Sequence, residues 1–363
     1  MSPHIAVVGA GYAGCMALGR IRMHCPSARI TLVEPRSHFE ERVRLHQVAA
    51  GALPIRVDLA ELCGRFQVEH LRDKLTDRSG RKLTLSSGSS LEPDAVLLAL
   101  GSRTRPPPGP AYVLDSDGDA AKLHRALLHR PDARITVVGA GTTALELATA
   151  LAGRFPSATL TLWRASAPDP TDRATPILEQ RLKQLGIIAL DGGPVVGLDS
   201  ACAWSATHRI EHEIAVWCGG FEAIRCGEGL RHADGRLKVD RFLHLGEGVF
   251  AAGDQAIPPT PHRFGCVTAM PTGAHAALNL VRWLRGEPLQ PFRLLDAISC
   301  VDLGQHHGLL QSRASDQHVY GGRVAGAVKG GILGYITLML KLERTLRFPV
   351  YRWPQGPIPR ENR

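Results

Sequence analysis

Residues 5–33 and 135–163 of this 363-residue chain align without a gap, and 11 of the 29 positions are identical. IAVVGAGYAG faces ITVVGAGTTA, and PSARITL faces PSATLTL. Each copy reads as a strand, a glycine turn, a helix and a second strand. The opening strands, Ile5–Val8 and Ile135–Val138, are short and rich in β-branched residues, as in a parallel sheet buried on both faces. Helix-compatible runs follow over Cys15–His24 and Leu145–Phe155, and Pro26 and Pro156 close the units. Two βαβ units of dinucleotide-binding type are therefore predicted, which makes the chain an α/β protein.

In the first copy the spacing Gly9, Gly11, Gly14 assigns each glycine a job. The first makes the tight turn, the second admits a pyrophosphate to the backbone, and the third lets helix and strand pack closely. The helix start, with Ala13 in its first turn, presents free N–H groups and a positive dipole end to phosphate. Glu34 follows Gly14 at the distance where a carboxylate accepts from an adenosine ribose. The second copy has Gly139 and Gly141, with Ala144 in the third place. Its counterpart of Glu34 is Arg164. A guanidinium cannot accept from a 2′-hydroxyl, but it pairs well with a 2′-phosphate. Three readings stay open here: an NADPH site, an NADH site beside a solvated arginine, and a site that has lost its nicotinamide.

Composition narrows the partners. The net charge of +9 favours anions, yet no Lys/Arg run reaches five residues, so no nucleic-acid partner is expected. The eight cysteines form no C-x-x-C, and no Cys/His spacing suits zinc, so no metal is expected. His306 and His307, being adjacent, point in different directions and read as surface or pocket residues. The chain enters its first strand within five residues and shows no signal pattern, so a cytoplasmic protein with reduced thiols is expected.

Further segments carry a family resemblance. AVLLALGSRT (95–104) is a buried strand ending on Gly101, and GVFAAGD (248–254) ends on Gly253 and Asp254. MPTGAHAALNLVRWLRG (270–286) reads as a helix, and VWCGGF (216–221) as a strand and turn. In this order the set resembles the type II NADH dehydrogenases and their FAD-dependent relatives. The resemblance implies two Rossmann-like domains, the second inserted in the first, with a small C-terminal part. It implies FAD on Gly9, Gly11, Ala13, Gly14, Glu34, Gly101, Gly253, Asp254 and a helix start at Thr272–Gly273. It also implies NADPH or NADH on Gly139, Gly141 and Arg164, with Glu146 near the nicotinamide–flavin contact. The boundaries expected are 1–108 and 236–290 for the FAD domain and 111–235 for the nicotinamide domain. Residues 291–363 would shape the acceptor site, and PPPGP (106–110) would serve as a stiff hinge.

Two departures qualify the resemblance. FEERVRLHQ (39–47) lacks the cysteine pair of disulfide reductases, which argues against a flavin–disulfide relay. CVTAMPTG (266–273) lacks the glutamines that line the quinone site of respiratory relatives. Cys218, Cys266 and Cys300 read as small packing residues. In RVRLHQ (42–47) an extended strand would place Arg42, Arg44 and His46 on one face, while a helix would separate them. Arg42 then reads as a cofactor contact, and Arg44 and His46 as catalytic candidates, with His46 the proton donor. ILGYITLML (332–340) is too short to span a bilayer, so packing on its own domain or on a partner subunit is expected. An interfacial membrane helix, marked by Thr337, Lys341 and Arg344, is the alternative, and the last ten residues read as a loose end.

The expected function is transfer of a hydride from NAD(P)H through FAD to a small conjugated or quinone-like acceptor. Direct oxidation of a metabolite with a vestigial second site, and a non-catalytic nucleotide sensor, are the alternatives. A homodimer is left open.

Overall fold

A computed structural model describes residues 2–260, 262–312, 318–345 and 349–356. The last seven residues of the expected loose end lie outside them. The chain opens with β1 (His4–Val8), α1 (Tyr12–His24) and β2 (Arg29–Val33), the first of the two repeated units. A short antiparallel pair follows, β3 (His38–Glu40) and β4 (Arg56–Asp58), with the helical turn Arg42–Arg44 and α2 (Leu45–Ala49) between them. Strands β5 (Val68–Leu71) and β6 (Ala95–Leu98) then join β1 and β2.

After α3 (Asp117–His129) the second unit begins with β7 (Arg134–Val138), α4 (Thr142–Arg154) and β8 (Thr159–Arg164). It continues through α5 (Ala174–Gln184), β9 (Ile188–Asp191) and β10 (Ile214–Trp217). These strands form a parallel sheet in the order β9-β8-β7-β10. Beyond it, β11 (His244–Gly246) and β12 (Val249–Ala251) return to the first sheet, whose order is β11-β12-β6-β1-β2-β5. The two sheets contain the repeated strands at matching central positions. This is the mixed α/β, parallel-sheet architecture that the repeat implies.

Helix α6 (Cys266–Leu284) packs along α1. A Cβ added to Gly273 would stand 2.2 Å from the carbonyl oxygen of Ala13, so only glycine permits this approach. The expected helix start at Thr272–Gly273 is thereby corrected. Both residues lie inside α6, and the Thr272 hydroxyl donates to the Thr268 carbonyl at 2.8 Å. Pro271 is likewise accommodated within the helix.

The C-terminal part is an antiparallel sheet, β13 (Ile298–Asp302), β14 (Gly308–Ser312) and β15 (Val319–Gly322), covered by α7 (Arg323–Thr345). Helix α7 is 23 residues long, much longer than the nine-residue apolar run suggests. By length and composition, residues 323–343 suffice to cross a membrane, and only 28% of that window is buried. Ala325, Leu333, Ile336 and Met339 face the protein, whereas Val324, Val328, Tyr335 and Leu338 are exposed. A buried ion pair fixes the helix end: Glu343 Oε1 accepts from Arg20 Nη2 at 2.7 Å and from the Tyr351 N–H at 2.6 Å. Losing one partner of such a pair costs about 3–5 kcal/mol, because the other charge remains buried.

Candidate cofactor and acceptor site

Space around the first glycine turn separates three roles. Gly9 has φ +100°, and a Cβ there would lie 2.4 Å from the Ala99 carbonyl oxygen. At Gly14 a Cβ would lie 2.0 Å from the carbonyl oxygen of Gly9 itself. A Cβ on Gly11, chain neighbours apart, would meet nothing within 4 Å. Two glycines are thus required by the protein's own packing, while the third borders open space at the helix start, where a phosphate would sit. The second turn repeats the arrangement: a Cβ on Gly139 would meet the Cys218 carbonyl oxygen at 2.5 Å, and Gly141 has nothing within 4 Å. Both turns fit a pyrophosphate group.

At the first turn Glu34 Oε2 accepts from the Ala10 N–H at 2.9 Å, which brings the carboxylate to the predicted place. Arg36, which sequence reasoning missed, also holds it, through Nε at 2.9 Å and Nη2 at 3.0 Å. Burial pushes the Glu34 carboxyl up, but the donors and charge of Arg36 and the Ala10 N–H outweigh it and hold it below its ordinary value. The Arg36 side chain is half-exposed, so it can yield the carboxylate to a ribose hydroxyl. Asp254 accepts from the Ser102 hydroxyl at 2.7 Å and from the Gly265 N–H at 2.9 Å, at the true start of α6. Gly253 donates its N–H to the Thr272 hydroxyl. Gly101 borders open space, whereas Gly253 abuts the Ala13 side chain. Gly11, Ala13, Gly101 and Asp254 therefore surround one end of α1 and α6, and Thr272 supports that end from within.

Arg164 is not free to read a phosphate. Its Nε and Nη2 lie 2.7 and 3.0 Å from the two oxygens of Asp191, and Nη1 binds Glu179. Burial pushes the guanidinium pKa down, but the two carboxylates outweigh it and raise it. The fork is filled from within the protein, and one cation faces two anions, so the strand end carries net negative charge. Neither Asp191, on the neighbouring strand, nor Glu179, on α5, is visible from the repeat.

The stretch after β3 is helical, so Arg42, Arg44 and His46 do not share one face. Of the two readings the helical one holds, because Leu45, Val48 and Ala49 bury a helical face against the second sheet's core. Arg42 donates to the Ser102 carbonyl at 2.7 Å and to Asp115 at 2.9 Å, which makes it a link within the protein. Arg44 pairs with Glu41. His46 alone of the three reaches Glu146: its Nδ1 lies 3.7 Å from Glu146 Oε2, and its Nε2 lies 3.8 Å from Asp302 Oδ2.

That contact belongs to a buried polar network. Glu146, in the second turn of α4, accepts from Lys329 Nζ at 2.8 Å and from the Asp302 N–H at 3.0 Å. Lys329 comes from α7 and also donates to the Cys300 carbonyl at 3.3 Å. Burial pushes the Lys329 pKa down, yet the adjacent Glu146 charge raises it overall. Asp302 is lowered against its burial by His46, the Gly304 N–H and Lys329. Lys329 and Asp302 escaped sequence reasoning because they lie in the C-terminal part, far along the chain from Glu146. Burial holds the thiols of Cys218 and Cys266 at about 12, and that of Cys300 is raised. None of the eight cysteines is in a disulfide, and these three remain protonated, as suits packing residues.

Comparison with known proteins adds the family. Residues 3–278 match the family described as pyridine nucleotide-disulphide oxidoreductase. An NADH dehydrogenase-like protein of Mycobacterium tuberculosis is 28% identical over 344 residues, covering 83% of this chain and 85% of its own. The sulfide:quinone oxidoreductase of Aquifex aeolicus superposes with a TM-score of 0.80 at 17% identity, covering 95% of this chain and 92% of that one. NDH2 of Plasmodium falciparum, solved with NADH, gives a TM-score of 0.78 at 14% identity and covers 96% of each chain.

Proposed function

The chain belongs to the pyridine nucleotide-disulphide oxidoreductase family and is a flavin-dependent oxidoreductase; from that premise we propose an NADH-specific enzyme that uses FAD to reduce a quinone-like acceptor. The single observation that carries the reading is the paired glycine turns, each with its second glycine open to a pyrophosphate. FAD rather than a mononucleotide is favoured by Glu34, which is placed for an adenosine ribose. When bound, the flavin supplies hydride and electron transfer between nicotinamide and acceptor. The start of α6, where Gly265 supplies no side-chain cap, presents the positive end of the helix dipole, suited to negative charge building up beside it. The Lys329–Glu146 pair holds a proton next to a carboxylate in a water-poor setting, where a conjugated acceptor would need one. The division into residues 1–108 with 236–290, 111–235 and 291–363 is supported by strands from 95–98 and 249–251 pairing in one sheet.

Cofactor choice follows from Arg164. With its fork filled and the local charge negative, a 2′-phosphate would be repelled. Steady-state assays are expected to give NADH an efficiency at least about tenfold above NADPH. The double substitution Glu179→Gln, Asp191→Asn should free the guanidinium and narrow that gap; an unchanged ratio would count against the assignment.

For localisation we propose attachment to a lipid surface through the exposed face of α7. Val324, Val328, Tyr335 and Leu338 lie along one side of the helix, with Arg323 and Lys341 towards its ends. The flavoprotein should co-sediment with vesicles containing anionic lipid, and Val324→Asp with Leu338→Asp should abolish this. Equal sedimentation of wild type and variant would remove the proposal.

A further inference from the structure

Away from the cofactor turns, His38, Glu40 and Asp117 bring an imidazole and two carboxylates together, one ligand atom from each lying within 4.8 Å of the others. His38 and Glu40 are two residues apart on β3 and so project from the same face of the strand. Asp117 arrives from elsewhere in the chain, as the first residue of α3. His38 Nε2 lies 3.3 Å from Glu40 Oε1 and 3.6 Å from Asp117 Oδ2. Ligand atoms about 2.1 Å from a tetrahedral ion lie about 3.4 Å from one another, so these separations suit a shared cation.

Two further observations point inward. His38 Nδ1 lies 3.2 Å from the Ser37 hydroxyl, an outer partner that turns Nε2 towards the carboxylates. His38 Nε2 and Glu40 Oε2 are buried without hydrogen-bond partners among the described residues, and Glu40 is only 6% exposed. An unpartnered buried carboxylate oxygen beside an unpartnered imidazole nitrogen costs stability unless a further group satisfies both.

We propose that His38, Glu40 and Asp117 bind a divalent first-row transition cation, which joins β3 to the N-terminus of α3. One nitrogen and two oxygen donors suit the manganese-to-zinc series better than calcium or magnesium, and water completes the shell. Arg56 is the competitor: its Nε lies 2.5 Å from Asp117 Oδ2, and its half-exposed side chain can leave. The Arg36 guanidinium, 3.8 Å from Glu40 Oε2, is engaged mainly by Glu34. Sequence spacing hides this site because Asp117 is remote from β3 in the chain.

Calorimetric titration of the flavin-loaded full-length protein with Co²⁺ alone tests the proposal. One ion per chain is expected, weakened at least about tenfold by His38→Ala and by Glu40→Gln, unchanged by His306→Ala and tightened by Arg56→Gln. Melting curves and flavin content of the variants show whether each is folded, and Glu40→Gln serves if His38→Ala is not. Absence of Co²⁺ binding in both wild type and Arg56→Gln would overturn the site. Equal binding by wild type and Glu40→Gln would do the same.

Discussion

Gly11→Val is expected to yield a folded protein that loses its flavin, while Gly141→Val keeps the flavin and loses its response to NADH. The asymmetry follows from what surrounds each glycine. Apart from chain neighbours, a Cβ on Gly11 or Gly141 would meet nothing within 4 Å, so substitution there should leave the fold intact. It would instead occupy the space of a pyrophosphate and deny it the helix N–H groups. Losing two charge-assisted hydrogen bonds amounts to about 3 kcal/mol, or about a hundredfold in affinity. Flavin content of the purified Gly11→Val protein should therefore fall steeply with an unchanged apoprotein melting curve. For Gly141→Val the flavin absorption should persist, and the NADH concentration needed for half-maximal reduction should rise about a hundredfold. Gly14→Val is the contrast: a Cβ there meets the Gly9 carbonyl oxygen at 2.0 Å, so the fold itself should suffer. Full flavin retention in Gly11→Val would mean that the first turn does not hold the cofactor.

Lys329→Met is expected to slow acceptor reduction by about a hundredfold, the lower end of what a positioned proton donor supplies. It also strands the buried Glu146 carboxylate, at a cost of about 3–5 kcal/mol. Stability and chemistry are separated by adding Glu146→Gln, which removes the unpaired charge. The double variant should recover most of the melting temperature and none of the turnover, while NADH still reduces its flavin. Wild-type acceptor turnover in the double variant would show that the pair is only structural.

How much of this was legible in the sequence depends on the range of the interaction. The glycine turns and Glu34 are local features with fixed spacing, and Gly9, Gly11 and Gly14 occupy the environments their spacing implies. Arg164 was legible as an anomaly but not in its meaning, since Asp191 and Glu179 come from a neighbouring strand and helix. The same holds for Lys329 and Asp302, which reach Glu146 only through the packing of the C-terminal part on α4. RVRLHQ stayed open between strand and helix because its polar residues alternate, whereas it is the apolar residues of LHQVA that mark a helix face. At α6 the expected start at Thr272–Gly273 fell too late, because the true one, opened by Gly265 with φ +146°, is marked by no strong capping residue.

Anaerobic rapid mixing of the purified flavoprotein with NADH follows hydride transfer from one glycine turn's nucleotide to the other's flavin. The visible flavin absorption is expected to bleach in a single turnover, more slowly with NADH deuterated at the transferred position and far more slowly with NADPH. A flavin that stays oxidised after mixing with either nucleotide would contradict it.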